Sequence, residues 1–514
     1  MNLRWFILLW AWQSVQAANI LAVFPFPGRS QYIFAEQYLK TLASSGHQVT
    51  VINTFGSNET LSNFKVIGAT KIHEILAAYG NADYSQTASQ WTVASLTTDF
   101  INLLTSCILE DAAVAQLLRS QQTYDLVILE TVQCEALFGL AQHFNALTIG
   151  ISSYGTDRHI DELMGNISPL SCNPLLLSAR SARMNFAQRV ANVWEAAVGW
   201  LHRQWVHLPS QRRLYSQYFP AARRSFEQQL GSFSLMLLGQ HHTLSYARAY
   251  LPNMIEVGGM HLRQSKPLPA QLAEFIAQAD AGVIYFSMGS NIKSADLPPA
   301  TLQLLLQTFG QLQQRVLWKF EAEHLSNKPD NVLIDKWFPQ TDILAHANVK
   351  LFITHGGLLS CIESIYYGKP LLGLPVFYDQ HANVQRAQDA GYGLGLELWT
   401  LNGTQLQQTI NELITNSSYR RAAELRSQLY RDQLETPLQR AIWWTEYVLR
   451  HKGAAHLAAP ARDLNLVQLH SLDSWGLICG AASLIALIIL ISLIALLKCL
   501  SYLRTKTAAK AKTQ

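Results

Sequence analysis

The chain has 514 residues, 49% of them hydrophobic, a length that exceeds one ordinary core and points to two domains, each able to bury a sizeable interior. Its net charge of +4 belongs to the ends: without Arg4 and five cations after residue 497, 33 basic residues face 35 acidic ones. That balance argues against a nucleic-acid partner, which would need a basic face on a folded domain.

Residues 1–17 ("MNLRWFILLWAWQSVQA") combine an early Arg4, a short apolar run and small residues near Ala17, the pattern of a cleaved secretory signal. The stretch "NILAVFPFP" then reads as a buried parallel strand, followed by a helical stretch to Leu42 and a second strand in "GHQVTVINTF". "YDLVILE" and "ALTIGISS" repeat the strand pattern around a helical segment, so residues 18–262 read as one α/β domain with a parallel sheet. Within it, residues 180–206 form an amphipathic, Trp-rich helix, read as packing into the core rather than lying on a membrane surface. "KPLPAQLAEFI" supplies a Pro-containing linker, after which "GVIYFSMGS", "RVLWKFE", "NVLIDKWF", "VKLFITHGG" and "KPLLGLP" mark a second α/β domain over 263–450. "GYGLGLE" at 391–397 has the wrong glycine spacing for a dinucleotide loop and reads as a turn.

A juxtamembrane segment, 451–474, precedes 23 uncharged residues from Trp475 to Leu497, long enough to cross a bilayer. Lys498, Arg504, Lys506, Lys510 and Lys512 in the tail, 498–514, place that end on the cytoplasmic side and the body in the secretory lumen. Sequons at Asn58, Asn166, Asn402 and Asn416 agree with that address. Four body cysteines, Cys107, Cys134, Cys172 and Cys361, are no disulfide framework, and no zinc-like spacing occurs.

Ligands of doubly wound sheets bind beyond the carboxyl ends of the strands. In the second half those ends carry Gly289 and Ser290, then Trp337 and Gln340, then His355 and Gly357 with Glu363 following on a helix, then Asp379 and Gln380. An aromatic plate can stack on a base, a helix N-terminus can take a diphosphate, and acids and amides can bind hydroxyls. This is a donor set for a nucleotide-sugar. No Asp-x-Asp pair occurs, so a metal-bridged diphosphate is not indicated and no cofactor is expected; a helix dipole can serve instead.

"FITHGGLLSCIESIYYGKPLLGLPVFYDQ", "KWFPQTDILAH" and "HLAAPARDLNLVQLHSLD" resemble the UDP-glycosyltransferase family, the animal membrane-bound type, with a texture nearest the insect members. The resemblance implies two Rossmann-like domains facing a cleft (GT-B type) and inverting transfer of glucose or glucuronic acid from UDP-sugar to small lipophilic acceptors. By the same likeness Trp337 stacks on uracil, Gln340 binds the uracil or ribose edge, and Glu363 binds ribose. His355, Ser290 and the Gly357 backbone hold the diphosphate, and Asp379 and Gln380 read the sugar. The tail resembles a dilysine retrieval signal, implying the endoplasmic-reticulum membrane; a homo- or hetero-oligomer is compatible with it. Leu359 departs from the family, many members of which have Asn there.

The larger departure lies in the first half. The family's catalytic histidine falls at Gln31, and an amide takes no proton near neutral pH. His47 belongs to a downstream turn and is no substitute. The carboxylate that orients the histidine matches Glu130 in one alignment and Glu135 in another, with Glu135 slightly favoured. Two readings follow: a transferase with an altered acceptor step, or a non-catalytic relative that binds UDP-sugar or a lipophile and partners an active transferase.

Overall fold

The computed structural model describes residues 17–57, 61–79 and 89–511. Nearly all of the expected signal, the sequon at Asn58 and the tail residue Lys512 lie outside the described residues.

The first sheet comprises β1 (Asn19–Phe24), β2 (Gln48–Asn53), β3 (Phe64–Gly68), β4 (Leu126–Glu130), β5 (Leu147–Ser152), β6 (Leu235–Leu238) and β7 (Met254–Glu256). Its order is β3-β2-β1-β4-β5-β6-β7, and all pairings are parallel. Both faces of β1 are buried: Leu21 and Val23 enter one apolar cluster, Ile20, Ala22 and Phe24 the other. A strand covered on both sides has no reason to alternate, which explains its unbroken apolar run.

The second sheet has β8 (Val283–Ser287), β9 (Arg315–Lys319), β10 (Val332–Asp335), β11 (Val349–Thr354), β12 (Leu371–Gly373) and β13 (Gly393–Gly395), again all parallel, in the order β10-β9-β8-β11-β12-β13. The expected turn at "GYGLGLE" occupies Gly391, with φ +73°, and Tyr392, after which Gly393–Gly395 form the edge strand β13. A side chain at Gly393 would begin 2.7 Å from the Leu371 carbonyl, so its absence allows this close pairing. In each sheet the strand order reverses beside the first strand, between β1 and β4 and between β8 and β11. A crevice opens at such a reversal.

Helix Pro437–Arg450 follows the second half in sequence but joins the first half's core, where Ala441 and Val448 are buried with Tyr38 and Leu42. Helix Phe186–His202, expected to face the core, is turned the other way. Its buried residues are Asn192, Ala196 and His202, while Phe186, Val190, Val193, Trp194 and Leu201 are exposed. Asn192 fixes that orientation by donating to the carbonyls of Leu170 and Asn173 and accepting from the Leu175 N–H. Among the described residues, Asn402 and Asn416 cap helices with their side chains, and all six cysteines are free thiols.

Residues 459–514 form a separate unit, whose helix Leu472–Ala511 contains the expected span. Its segment Leu472–Thr507 is long and apolar enough to cross a membrane.

Candidate active site

One cavity of about 770 Å³ lies over both strand reversals. Its lining includes Gln31 from the first half and Ser290, Trp337, Gln340, His355, Gly357, Glu363, Asp379 and Gln380 from the second.

The donor side is built by strand ends feeding short turns into helices. Trp337 follows β10 and is 60% exposed, a ring held open to the cavity. Gln340 begins helix Gln340–Ala345 and donates its amide N–H to Glu363, which also accepts from the Thr341 hydroxyl at 2.8 Å. Two residues that the family likeness assigns to neighbouring parts of the nucleoside are thus bonded to each other. Burial raises the Glu363 carboxyl above its ordinary value, and bonds from Gln340 and Thr341 work against that rise. Asp342, on the same helix, faces away to pair with Arg263 in a fork of 2.9 and 2.7 Å, which ties the linker to the second half.

His355 directly follows β11 and sits between two glycines, Gly289 and Gly357. A Cβ on Gly289 would lie 2.4 Å from its Cε1, and one on Gly357 would lie 2.4 Å from its Nε2. These glycines make room for the imidazole. Burial, and then the Lys319 charge, push His355 down to about 4, so the ring is neutral at physiological pH and serves as a hydrogen-bonding group. Helix Leu358–Tyr366 begins directly after Gly357 and aims its first-turn N–H groups at this end of the cavity.

Asp379 accepts from the Asn383 amide at 2.8 Å, and Asn383 also holds the Gly356 carbonyl at 3.0 Å, so the carboxylate is fixed to the HGG turn. The Gln380 carbonyl oxygen accepts the backbone N–H groups of Val376 and Phe377, which leaves its NH₂ end for a ligand. Lys319 was missed in the sequence. Its ammonium donates to the Gly289 carbonyl at 2.9 Å, pairs with Glu321 at 2.6 Å and lies 5.7 Å from the Trp337 ring centre. The available signal was a cation closing the apolar strand "RVLWK".

In the first half, Gln31 lies in the first turn of helix Arg29–Ser44, just beyond β1. Its side-chain oxygen accepts from Ser30 at 2.9 Å, and Ser30 in turn accepts a long bond, 3.4 Å, from Asn291 across the cleft. Neither candidate carboxylate lines the cavity. Glu130 ends β4 with Ser153 donating to it at 3.4 Å, while its Oε2 is buried without a partner. Burial lifts this carboxyl to about 8. Glu135 is enclosed elsewhere, with Arg203 at 2.7 Å, His207 at 2.8 Å and His159 at 3.6 Å. Burial opposes its charge, but Arg203 and His207 outweigh that and hold the carboxyl well below the usual range. Leu359 lines the cavity and packs against the first half's apolar cluster.

Two Rossmann-like halves with a cavity between them define the GT-B class of glycosyltransferase. A family model described as UDP-glucoronosyl and UDP-glucosyl transferase matches residues 21–513, and the chain belongs to that family. It is 32% identical to UDP-glucosyltransferase 2 of Dactylopius coccus, over 89% of this chain and 88% of that one. It is 28% identical to human UDP-glucuronosyltransferase 2B15, over 90% of each. Among solved structures, the glycosyltransferase VinC in complex with DTDP shares the fold with a TM-score of 0.57 at 16% identity, over 85% of this chain and all of that one. Among the described residues no group of three or more His, Cys, Asp and Glu could hold a metal ion.

Proposed function

We propose that the protein transfers a hexose from a UDP-sugar to a small lipophilic acceptor with inversion, and that it does so without the usual imidazole base. The observation that carries this reading is the single cavity shared by Gln31 and the complete donor set. Trp337 stacks on uracil, Gln340 and Glu363 bind the nucleoside, His355, Ser290 and the Gly357 N–H hold the diphosphate, and Asp379 with Gln380 reads the sugar.

Glucose is the better fit of the two candidate donors. Among the described residues each Lys or Arg lining the cavity has an anionic partner: Lys40 with Glu36, Arg263 with Asp342 and Lys319 with Glu321. A uronate would find no unpaired side-chain cation. With Gln31 in the base position, acceptors that need no proton removed are favoured, namely amines and acidic phenols or carboxylic acids. The body occupies the lumen of the endoplasmic reticulum, the apolar helix crosses its membrane and the basic tail faces the cytoplasm.

The test is UDP release by the membrane-reconstituted chain from UDP-glucose and UDP-glucuronate, with an aromatic amine, an acidic phenol and an aliphatic alcohol as acceptors. Turnover with UDP-glucose and the first two acceptors supports the reading. UDP binding without turnover on any acceptor favours the second reading, which rests on the same Gln31: a donor-binding relative that partners an active transferase.

A further inference from the structure

Given the reading above that Asp379 and Gln380 bind the sugar, we infer that Tyr246 and Arg386 are positioning residues for that end of the cavity. Tyr246, from the first half, holds Arg386, and Arg386 holds the amide that aims Asp379. Helix Gln380–Asp389 starts with Gln380 and has Asp379 at its N-cap position. Asp379 makes no capping hydrogen bond; its carboxylate is turned to Asn383 instead. The Asn383 amide is fully committed. Its two N–H groups go to Asp379 at 2.8 Å and to the Gly356 carbonyl at 3.0 Å, and its oxygen accepts from Arg386 at 3.1 Å. A guanidinium only donates, so Arg386 fixes which end of the amide faces Asp379.

Arg386 is oriented in turn from the other half. Its Nε is buried without a hydrogen-bond partner among the described residues, and its guanidinium lies 5.8 Å over the Tyr246 ring. The Tyr246 hydroxyl donates to Asp389, the last residue of the same helix, at 2.5 Å. One first-half side chain therefore grips the helix both at its cation and at its far end. The grip also bears on charge. Burial raises the Asp379 carboxyl above its ordinary value, and the Asn383 bond and then the Arg386 charge work against that rise. Only the ionised carboxylate accepts sugar hydroxyls with both oxygens.

Tyr246 stands on a segment anchored behind the first half's wall of the cavity. Two residues on, Arg248 donates to Asp161 and, at 2.9 Å, to Ser168. Asp161 also accepts from the Thr156 hydroxyl at 3.3 Å, and the Thr156 N–H donates to Gln240 at 2.9 Å. Ser153 and Tyr154, just before Thr156, line the cavity. A polar line thus runs from that wall through Arg248 and Tyr246 to Arg386, Asn383 and Asp379. Sugar recognition by the second half therefore depends on a side chain of the first.

The experiment titrates the full chain in lipid nanodiscs with UDP and with UDP-glucose, by calorimetry. It compares wild type with Asp379→Asn, Arg386→Gln, Tyr246→Ala and the Tyr246→Ala/Arg386→Gln pair. UDP affinity should stay within about twofold of wild type in the Arg386 and Tyr246 variants, while the ratio of UDP-glucose to UDP affinity falls by about tenfold in Arg386→Gln. Tyr246→Ala should lower the same ratio, and the pair should lose no more than Arg386→Gln alone, because Tyr246 acts through Arg386. Variants without a cooperative unfolding transition in urea are replaced by Arg386→Lys, which lacks the planar fork, and Tyr246→Leu, with the same expectations. A wild-type ratio in Arg386→Gln, with the ratio lowered in Asp379→Asn, would overturn the positioning role and leave the sugar reading standing. Equal losses of UDP and UDP-glucose affinity would also overturn it, since Arg386 would then only support the fold. Additive losses in the pair would overturn the link through Tyr246. An unchanged ratio in Asp379→Asn would remove the sugar reading itself, and the positioning role with it.

Discussion

A carboxyl buried at a strand end is tolerated either by pairing or by staying protonated, and the two first-half candidates divide along that line. Glu135 is paired with Arg203 and His207, whereas Glu130 has an unpartnered oxygen and is lifted to about 8. Because the folded value lies above the unfolded one, the folded state binds more protons between about pH 4.5 and 8, and stability falls as pH rises through that window. Glu130→Gln removes the dependence. Its chemical-denaturation midpoint should fall less than that of wild type between pH 5 and 8, by an equivalent approaching about 4 kcal/mol. An identical pH profile for the two proteins would show that Glu130 is ionised and partnered. Glu135→Gln should instead destabilise at all pH values near neutrality, by about 3–5 kcal/mol, because it leaves Arg203 buried without its anion. The same contrast bears on the chemistry. Gln31→His should speed transfer to an aliphatic alcohol by about 10²–10⁴-fold and change amine transfer little. Adding Glu130→Gln should abolish that gain if Glu130 orients the new imidazole, and a gain that persists would remove Glu130 from this role. None of this division was visible in the sequence. Glu130 and Glu135 stand five residues apart, and what separates them is the arrival of His159, Arg203 and His207 from distant segments.

At the scale of elements, the HGG turn shows why the donor side was legible and the amphipathic helix was not. A strand, two glycines and a helix are contiguous, so local sequence alone places His355, Gly357 and Glu363 at one strand end. Periodicity in residues 186–202 also predicts a helix with an apolar stripe, yet a stripe does not say which side the protein covers. That choice rests on Asn192 and on loop carbonyls at residues 170 and 173. The turn separates two kinds of glycine. Gly356 has φ +80°, and its Cβ would meet Val384 at 2.6 Å, so Gly356→Ala should destabilise the fold by about 1–3 kcal/mol. Gly357 has an ordinary φ of −62°, and its Cβ would meet only the His355 ring at short range. Gly357→Ala should therefore keep the wild-type denaturation midpoint while weakening UDP binding by about tenfold or more, close to 1.4 kcal/mol, in calorimetric titration. Unchanged UDP affinity in that variant would mean that the imidazole position does not matter to the diphosphate.

For the whole molecule, the question is how two halves stay joined while a substrate enters between them. Away from the cavity three of the joints are short. Tyr38 meets Thr445 at 2.6 Å, Tyr430 donates to the Gly258 carbonyl at 2.6 Å, and Arg426 donates to the Thr243 carbonyl at 2.6 Å. Across the cavity they are long: Asn291 to Ser30 at 3.4 Å, and Tyr154 to Tyr378 as an edge-on pair 6.1 Å apart. Helix Pro437–Arg450 thus acts as a strap, and the mouth is free to adjust to a ligand. Thr445 donates its hydroxyl to the Ala441 carbonyl, so Tyr38 is the donor in their bond. Thr445→Val leaves that buried phenol without an acceptor and should lower stability by about 1–3 kcal/mol, while adding Tyr38→Phe should return part of the loss. Neither change touches the donor residues. UDP at 100 times its dissociation constant should therefore add about 2.7 kcal/mol to the unfolding free energy of wild type and of Thr445→Val alike, read from denaturant midpoints at fixed slope. A clearly smaller increment in Thr445→Val would show that the strap shapes the nucleotide site. No increment in either protein would show that the second half does not hold UDP, and the proposed chemistry would fall with it.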